Sequence, residues 1–193
     1  MDNTLFAIQI FLPLEPNEAL RRQIRKLILD APEDAERSEK QRSYQAIVRA
    51  LLAVQGQFSV GNWDFNDDPE EAETEFEHWC AGTESDAKER EAAGDSGTDG
   101  PRSMFVTLAF LMRTGDECAN QFAEACDLQD QQLWKRSTFV KLLSVIQQLD
   151  FVSVVGDAVY LCPGDREFGL TEEELGDESY EYLHKIGGVW ISS

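Results

Sequence analysis

The chain has 193 residues, 37 acidic against 17 basic, and a formal net charge of −20. Hydrophobic residues make up 42% and aromatics 10%, enough for a core. That excludes a collagen-like chain and argues against wholesale disorder. The acid excess also argues against a sequence-independent nucleic-acid binder, which needs lysine and arginine to displace counterions from phosphate. The length predicts one domain over residues 1–193.

The first apolar run, Leu5–Leu12, is bounded by Pro13 and predicts a buried strand. Asn17 can cap a helix with the stripe Leu20, Ile24, Leu27 and Ile28, which Pro32 stops. Ser38 and Gln41 have capping-box spacing ahead of Tyr44, Ile47, Val48, Leu51 and Leu52, and Gly56 ends that helix. Phe58–Phe65 alternates as a strand does. Asp68-Pro69 supplies a cap and a first-turn proline to a helix carrying Ala72, Phe76, Trp79 and Cys80. Residues 82–102 hold little that can be buried and predict an acidic, mobile linker.

The second half opens with the apolar strand Met104–Met112. A helix over Asp116–Asp127 follows, then one capped by Ser137 with Phe139, Leu142, Leu143, Ile146 and Leu149 inward. Phe151–Val155 and Ala158–Cys162 read as two strands of a hairpin turning at Gly156-Asp157. Thr171 and Glu174 form a second capping-box pattern for a helix that Gly187-Gly188 ends. Val189–Ile191 reads as a last strand. Each half runs strand, helix, helix, strand. The expectation is an α+β fold: one sheet of four to five strands with helices packed on it. Its two pseudo-repeat halves, 4–80 and 103–191, would be joined by the linker.

Charge is segregated. Residues 1–55 hold eight acids and eight bases, while residues 56–103 hold fourteen acids and three bases. Arg21, Arg22, Arg25 and Lys26 cluster on one helix and are the candidate contact for a protein partner, set against a solvated helix face as the plainer explanation. The acid clusters Glu70–Glu77 and Glu172–Glu178 alternate with apolar residues, as solvated faces do. A saline habitat accounts equally well for the acid excess.

Asp64, Asn66, Asp68 and Glu75 imitate the ligand spacing of a calcium loop, giving divalent-cation binding over residues 64–75 as the alternative function. Pro69 stands where such a loop needs glycine, and Asp68-Pro69 already has an explanation as a helix start. Gly94-Asp95-Ser96-Gly97 copies a serine-protease tetrapeptide, but within a polar linker and far from a rigid oxyanion hole. His78 and Cys80 form one pair without a second at zinc-ligand spacing, and His184 is expected near a helix C-terminus. No phosphate-cradling glycine loop, nucleophile–base pair or cofactor motif stands out. The reading is therefore a non-catalytic domain with no cofactor. The longest uncharged apolar runs are about half the ~20 residues of a membrane span, and the N-terminus lacks a signal-peptide pattern, so a cytoplasmic protein is expected. The four cysteines read as reduced thiols.

A string of landmarks runs in order along residues 5–183. It comprises the strand and Arg-rich helix of Ala7–Leu29, the break Asp30–Asp34, Ala50-Leu51-Leu52 and Glu71-Ala72-Glu73 with Phe76. Lys88–Glu91, Val106-Thr107-Leu108, Phe151–Val155, Pro163 and Leu170–Leu175 follow. In this order the chain resembles a cyanobacterial and chloroplast family of domains of unknown function that includes the plant fluctuating-light acclimation protein. The resemblance implies an α+β domain linked to photosynthetic regulation, with no catalytic residues to carry over.

Overall fold

The computed structural model describes residues 2–31, 35–81, 100–164 and 169–187. The element order is β1 (Asn3–Pro13), α1 (Glu18–Leu29), α2 (Arg37–Ala53), β2 (Val60–Asn66) and α3 (residues 72–81). Then come β3 (Arg102–Arg113), α4 (Glu117–Cys126), α5 (Arg136–Gln148) and β4 (Val154–Cys162). The short elements β5 (Leu170–Thr171), α6 (Glu172–Leu175) and β6 (His184–Lys185) close the described chain.

One antiparallel sheet holds the strands in the order β4-β3-β1-β2-β6, with β5 pairing the end of β3. The fold is α+β. The central strand β1 pairs with β3 over its whole length, with Ala7 opposite Ala109. β2 and β4 flank them, so the unit β1-α1-α2-β2 lies beside the unit β3-α4-α5-β4.

β1 reads as an almost unbroken apolar run because both faces of the sheet are covered at its centre. Its even residues Phe6, Ile8, Ile10 and Leu12 enter the main core. There they meet Ile24 of α1, Ile47 and Leu51 of α2, Phe122 of α4 and Phe139 of α5. Phe6 and Phe122 stack with centroids 4.1 Å apart. On the other face Leu5, Ala7, Ala109 and Leu111 take Ala72 and Phe76 of α3. Phe11 and Phe105 take Leu170 and Tyr180 of the C-terminal segment.

Several local signals resolve differently from their sequence reading. Gly156-Asp157 is not a turn. β4 runs unbroken through it, with Gly156 opposite Leu111 and Asp157 opposite Phe110, and a register irregularity follows at Leu111/Met112. A Cβ on Gly156 would stand 3.1 Å from the Phe76 ring, so this glycine admits α3 against the sheet rather than bending the chain. The N-cap of α2 lies two residues before the expected Ser38: it is Glu36, whose N–H donates to the Glu39 carboxylate at 3.3 Å. Ser137 lies inside α5, whose N-cap is Lys135. Asp68 still organises the approach to α3, since its carboxylate accepts the Glu70 N–H (2.9 Å) and its carbonyl accepts that of Ala72 (2.9 Å).

The Thr171–Glu174 box forms as read. The Thr171 Oγ1 accepts the Glu174 N–H at 3.2 Å, and the Glu174 carboxylate accepts the Thr171 N–H at 2.7 Å. Its helix stops at Leu175, however. Asp177 then takes the Ser179 N–H (3.0 Å) and starts a separate 3-10 turn, Glu178–Tyr180. The described chain pairs with β2 through His184–Lys185. The expected strand Val189–Ile191 and the core of the expected linker, residues 82–99, lie outside the described residues, while Arg102 and Ser103 already belong to β3.

Candidate functional site

α1 and α2 pack side by side, and the Ser43 hydroxyl of α2 donates to the Leu27 carbonyl of α1 at 3.3 Å. Each helix carries four bases and one acid. The pair is therefore net +6 in a chain of −20, and the rest of the sequence holds nine bases against thirty-five acids. The apolar stripe of each helix faces the sheet, which turns the cations to solvent.

The structure sorts these cations into two groups. Arg21 is committed to the fold. Its guanidinium grips Glu18 with two hydrogen bonds of 2.9 and 2.8 Å and donates to the Gly164 carbonyl at 2.7 Å. That grip holds the Glu18 carboxyl below its usual range, with Arg22 adding a smaller effect. Lys40 is also committed, pairing with Asp157 of β4 at 2.9 Å. By contrast Arg22, Lys26, Arg37, Arg42 and Arg49 are exposed, and none forms an ion pair among the described residues. Of the four residues expected to contact a partner, Arg22 and Lys26 are exposed. Arg25 is half-buried, and Arg21 serves as a tie between α1 and the segment after β4.

Below this surface the helices meet the edge strand β4. A cleft of about 510 Å³ is lined by Leu27, Ile28, Tyr44, Ile47, Asp157 and Val159, among others. At its floor Asp157 accepts from both Lys40 and Tyr44, the phenol lying 3.1 Å away. Burial, then the neighbouring Asp157 charge, pushes the Tyr44 hydroxyl well above its ordinary value. A phenol held protonated and already donating is a fastener rather than a nucleophile. A second notch of about 330 Å³ places Val155 beside Arg37 and Lys40. Leu29, one helical turn from Lys26 on α1, is 64% exposed, and Val155, beside Arg37, is 46% exposed, so a large apolar side chain stands near an exposed cation at each place.

The other predicted residues fall elsewhere. Asp64 lies in β2 opposite Ala7. Asn66 turns its amide nitrogen to Glu75 (2.9 Å) and Glu71 (3.4 Å), while its oxygen accepts the Asp68 N–H at 2.8 Å. A cation would need oxygens converging on one point, and here an amide donor occupies the space between the carboxylates. Among the described residues no group of three or more histidine, cysteine or acidic side chains has metal-holding geometry.

His184 is not at a helix end. It sits in β6 and stacks on Trp134 at 3.7 Å, where burial lowers its basicity. His78 is exposed on α3, and the tetrapeptide Gly94–Gly97 lies outside the described residues. None of Cys80, Cys118, Cys126 and Cys162 forms a disulfide among the described residues, and burial raises the Cys126 thiol to about 12. No helix among the described residues is long and apolar enough to cross a membrane.

Sequence reasoning gave no role to Gln9 or Lys40, and read Tyr44 only as part of the α2 stripe and Asp157 only as a turn residue. Gln9 carried a signal, as the one polar side chain inside an apolar run. The other three meet only through contacts more than a hundred residues apart. No protein-family model, curated protein or solved structure matches the chain.

Proposed function

We propose that the protein is a non-catalytic interaction module whose α1–α2 surface docks an acidic partner protein. The observation that carries this reading is the set of five exposed cations, Arg22, Lys26, Arg37, Arg42 and Arg49. They have no ion pair among the described residues and lie on two helices of net +6 in a strongly acidic chain. Cations without ion pairs, with exposed Leu29 near Lys26 and exposed Val155 near Arg37, suit an interface that mixes apolar and charged contacts. The surrounding acid excess repels an acidic partner from the rest of the surface and so confines its docking to α1–α2. The resemblance read from the landmark residues makes photosynthetic regulation the process in which to seek that partner.

The test compares the wild-type protein with Arg22→Glu/Lys26→Glu as immobilised bait in lysate of the source organism, at low and at high salt. The reading predicts an acidic partner that is lost at high salt and captured at least tenfold less by the variant, with unchanged helicity. Equal capture by both baits contradicts it.

A further inference from the structure

The sheet ends differently on its β2 side. β6 pairs β2 only at Val60 and Gly61. Among the described residues no strand continues along the outer side of Asn62–Asn66. In an antiparallel ladder alternate residues point their N–H and C=O groups to the outer side, and among the described residues no backbone group pairs with that side of this half-buried stretch.

The two flanks of the edge differ in chemistry. On the main-core side stand Trp63 and Phe65, both half-buried against the core. Trp63 is fixed by its indole N–H, which donates to the Leu133 carbonyl at 3.0 Å, with the Trp134 ring 6.2 Å away. The opposite flank carries Asn62, Asp64 and Asn66, and Asn66 draws Glu71 and Glu75 to it. Asp67, Asp68 and Glu70 continue the acidic surface in the exposed turn beyond.

The geometry points to strand addition at Asn62–Asn66 by an extended partner segment in which apolar residues alternate with lysine or arginine. Main-chain hydrogen bonds to the open edge would hold it. Period-two alternation would set apolar side chains beside Trp63 and Phe65 and cations beside Asp64 and the Asn66-linked carboxylates. A second copy of this chain is a poor occupant. None of its described strands alternates apolar residues with bases, and in β3 the arginines stand only at the ends.

The test titrates isotope-labelled full-length protein with an eight-residue synthetic peptide alternating lysine and valine, read by amide chemical shifts. Two further peptides carry N-methyl groups on one or the other set of alternate residues. Shifts concentrated at residues 62–66 are expected. One N-methylated peptide should bind at least tenfold more weakly than the other, because only one set of N–H groups faces the edge. Asp64→Lys should weaken the parent peptide at least tenfold. Equal binding of both methylated peptides, shifts scattered over the acidic surface, or no shifts at millimolar peptide would each overturn the inference. The peptide comparison needs no variant to fold.

Discussion

On one face of the sheet Phe6, Ile8, Ile10 and Leu12 meet four helices in a single apolar cluster. On the other face the same strand presents Leu5, Ala7, Gln9 and Phe11, and the cover is split. α3 lies over the small residues Ala7 and Ala109, anchored where Asn3 donates to Glu73, and Gly156 leaves room for its Phe76. The C-terminal segment lies over Phe11 and Phe105. Between them is a polar bridge. The buried Gln9 amide donates to Thr107 (3.0 Å) and accepts from the Tyr182 hydroxyl (2.8 Å). The helical face thus concentrates the apolar contacts and gives α1 and α2 a rigid backing. Their outer surfaces are left to carry charge.

Core truncation tests that contrast most severely. Phe122→Ala, at a fully buried ring stacked on Phe6, should cost about 4 kcal/mol of unfolding free energy. Phe76→Ala, at a half-buried ring on the opposite face, should cost about 1–2 kcal/mol. Urea unfolding of both variants measures the difference, and equal costs would break the comparison.

A smaller effect sharpens it at the α2–β4 fastening. The fold keeps Tyr44 protonated, whereas the unfolded chain releases that proton near the ordinary value of 10. The native state then binds more protons than the unfolded state. The Tyr44 contribution is fully present below pH 10 and is lost as pH rises beyond it, by up to about 1.4 kcal/mol per pH unit. Tyr44→Phe should lose about 1 kcal/mol at neutral pH with its hydrogen bond to Asp157, and should flatten the alkaline decline. Part of the decline will persist through Cys126, whose thiol is raised in the same direction. Thermal melts from pH 8 to 11 on both proteins read this directly.

Features with a local cause were legible in the sequence. The Leu20 and Ile24 stripe, the inward face of α5 and the Thr171–Glu174 box depend on spacings of three and four residues, and all form. Features with a distant cause were not. Gly156-Asp157 has the composition of a turn. What decides its conformation is Phe76 on one side and Lys40 with Tyr44 on the other. Arg21 likewise reads as a surface cation until the Gly164 carbonyl, 143 residues away, is seen to accept from it. The basic character of α1 was visible in sequence. Its continuation across Arg37, Arg42 and Arg49 of α2 needed the packing of the two helices.

The most direct measurement places a photo-crosslinking amino acid at position 42 on the α2 surface and, in a second protein, at position 179 on the exposed C-terminal turn of the opposite face. Both are exposed to lysate of the source organism. Docking on the helical face predicts an acidic partner crosslinked from position 42 and not from position 179, and lost when Arg22 and Lys26 are reversed. A partner crosslinked from position 179 alone would contradict the account.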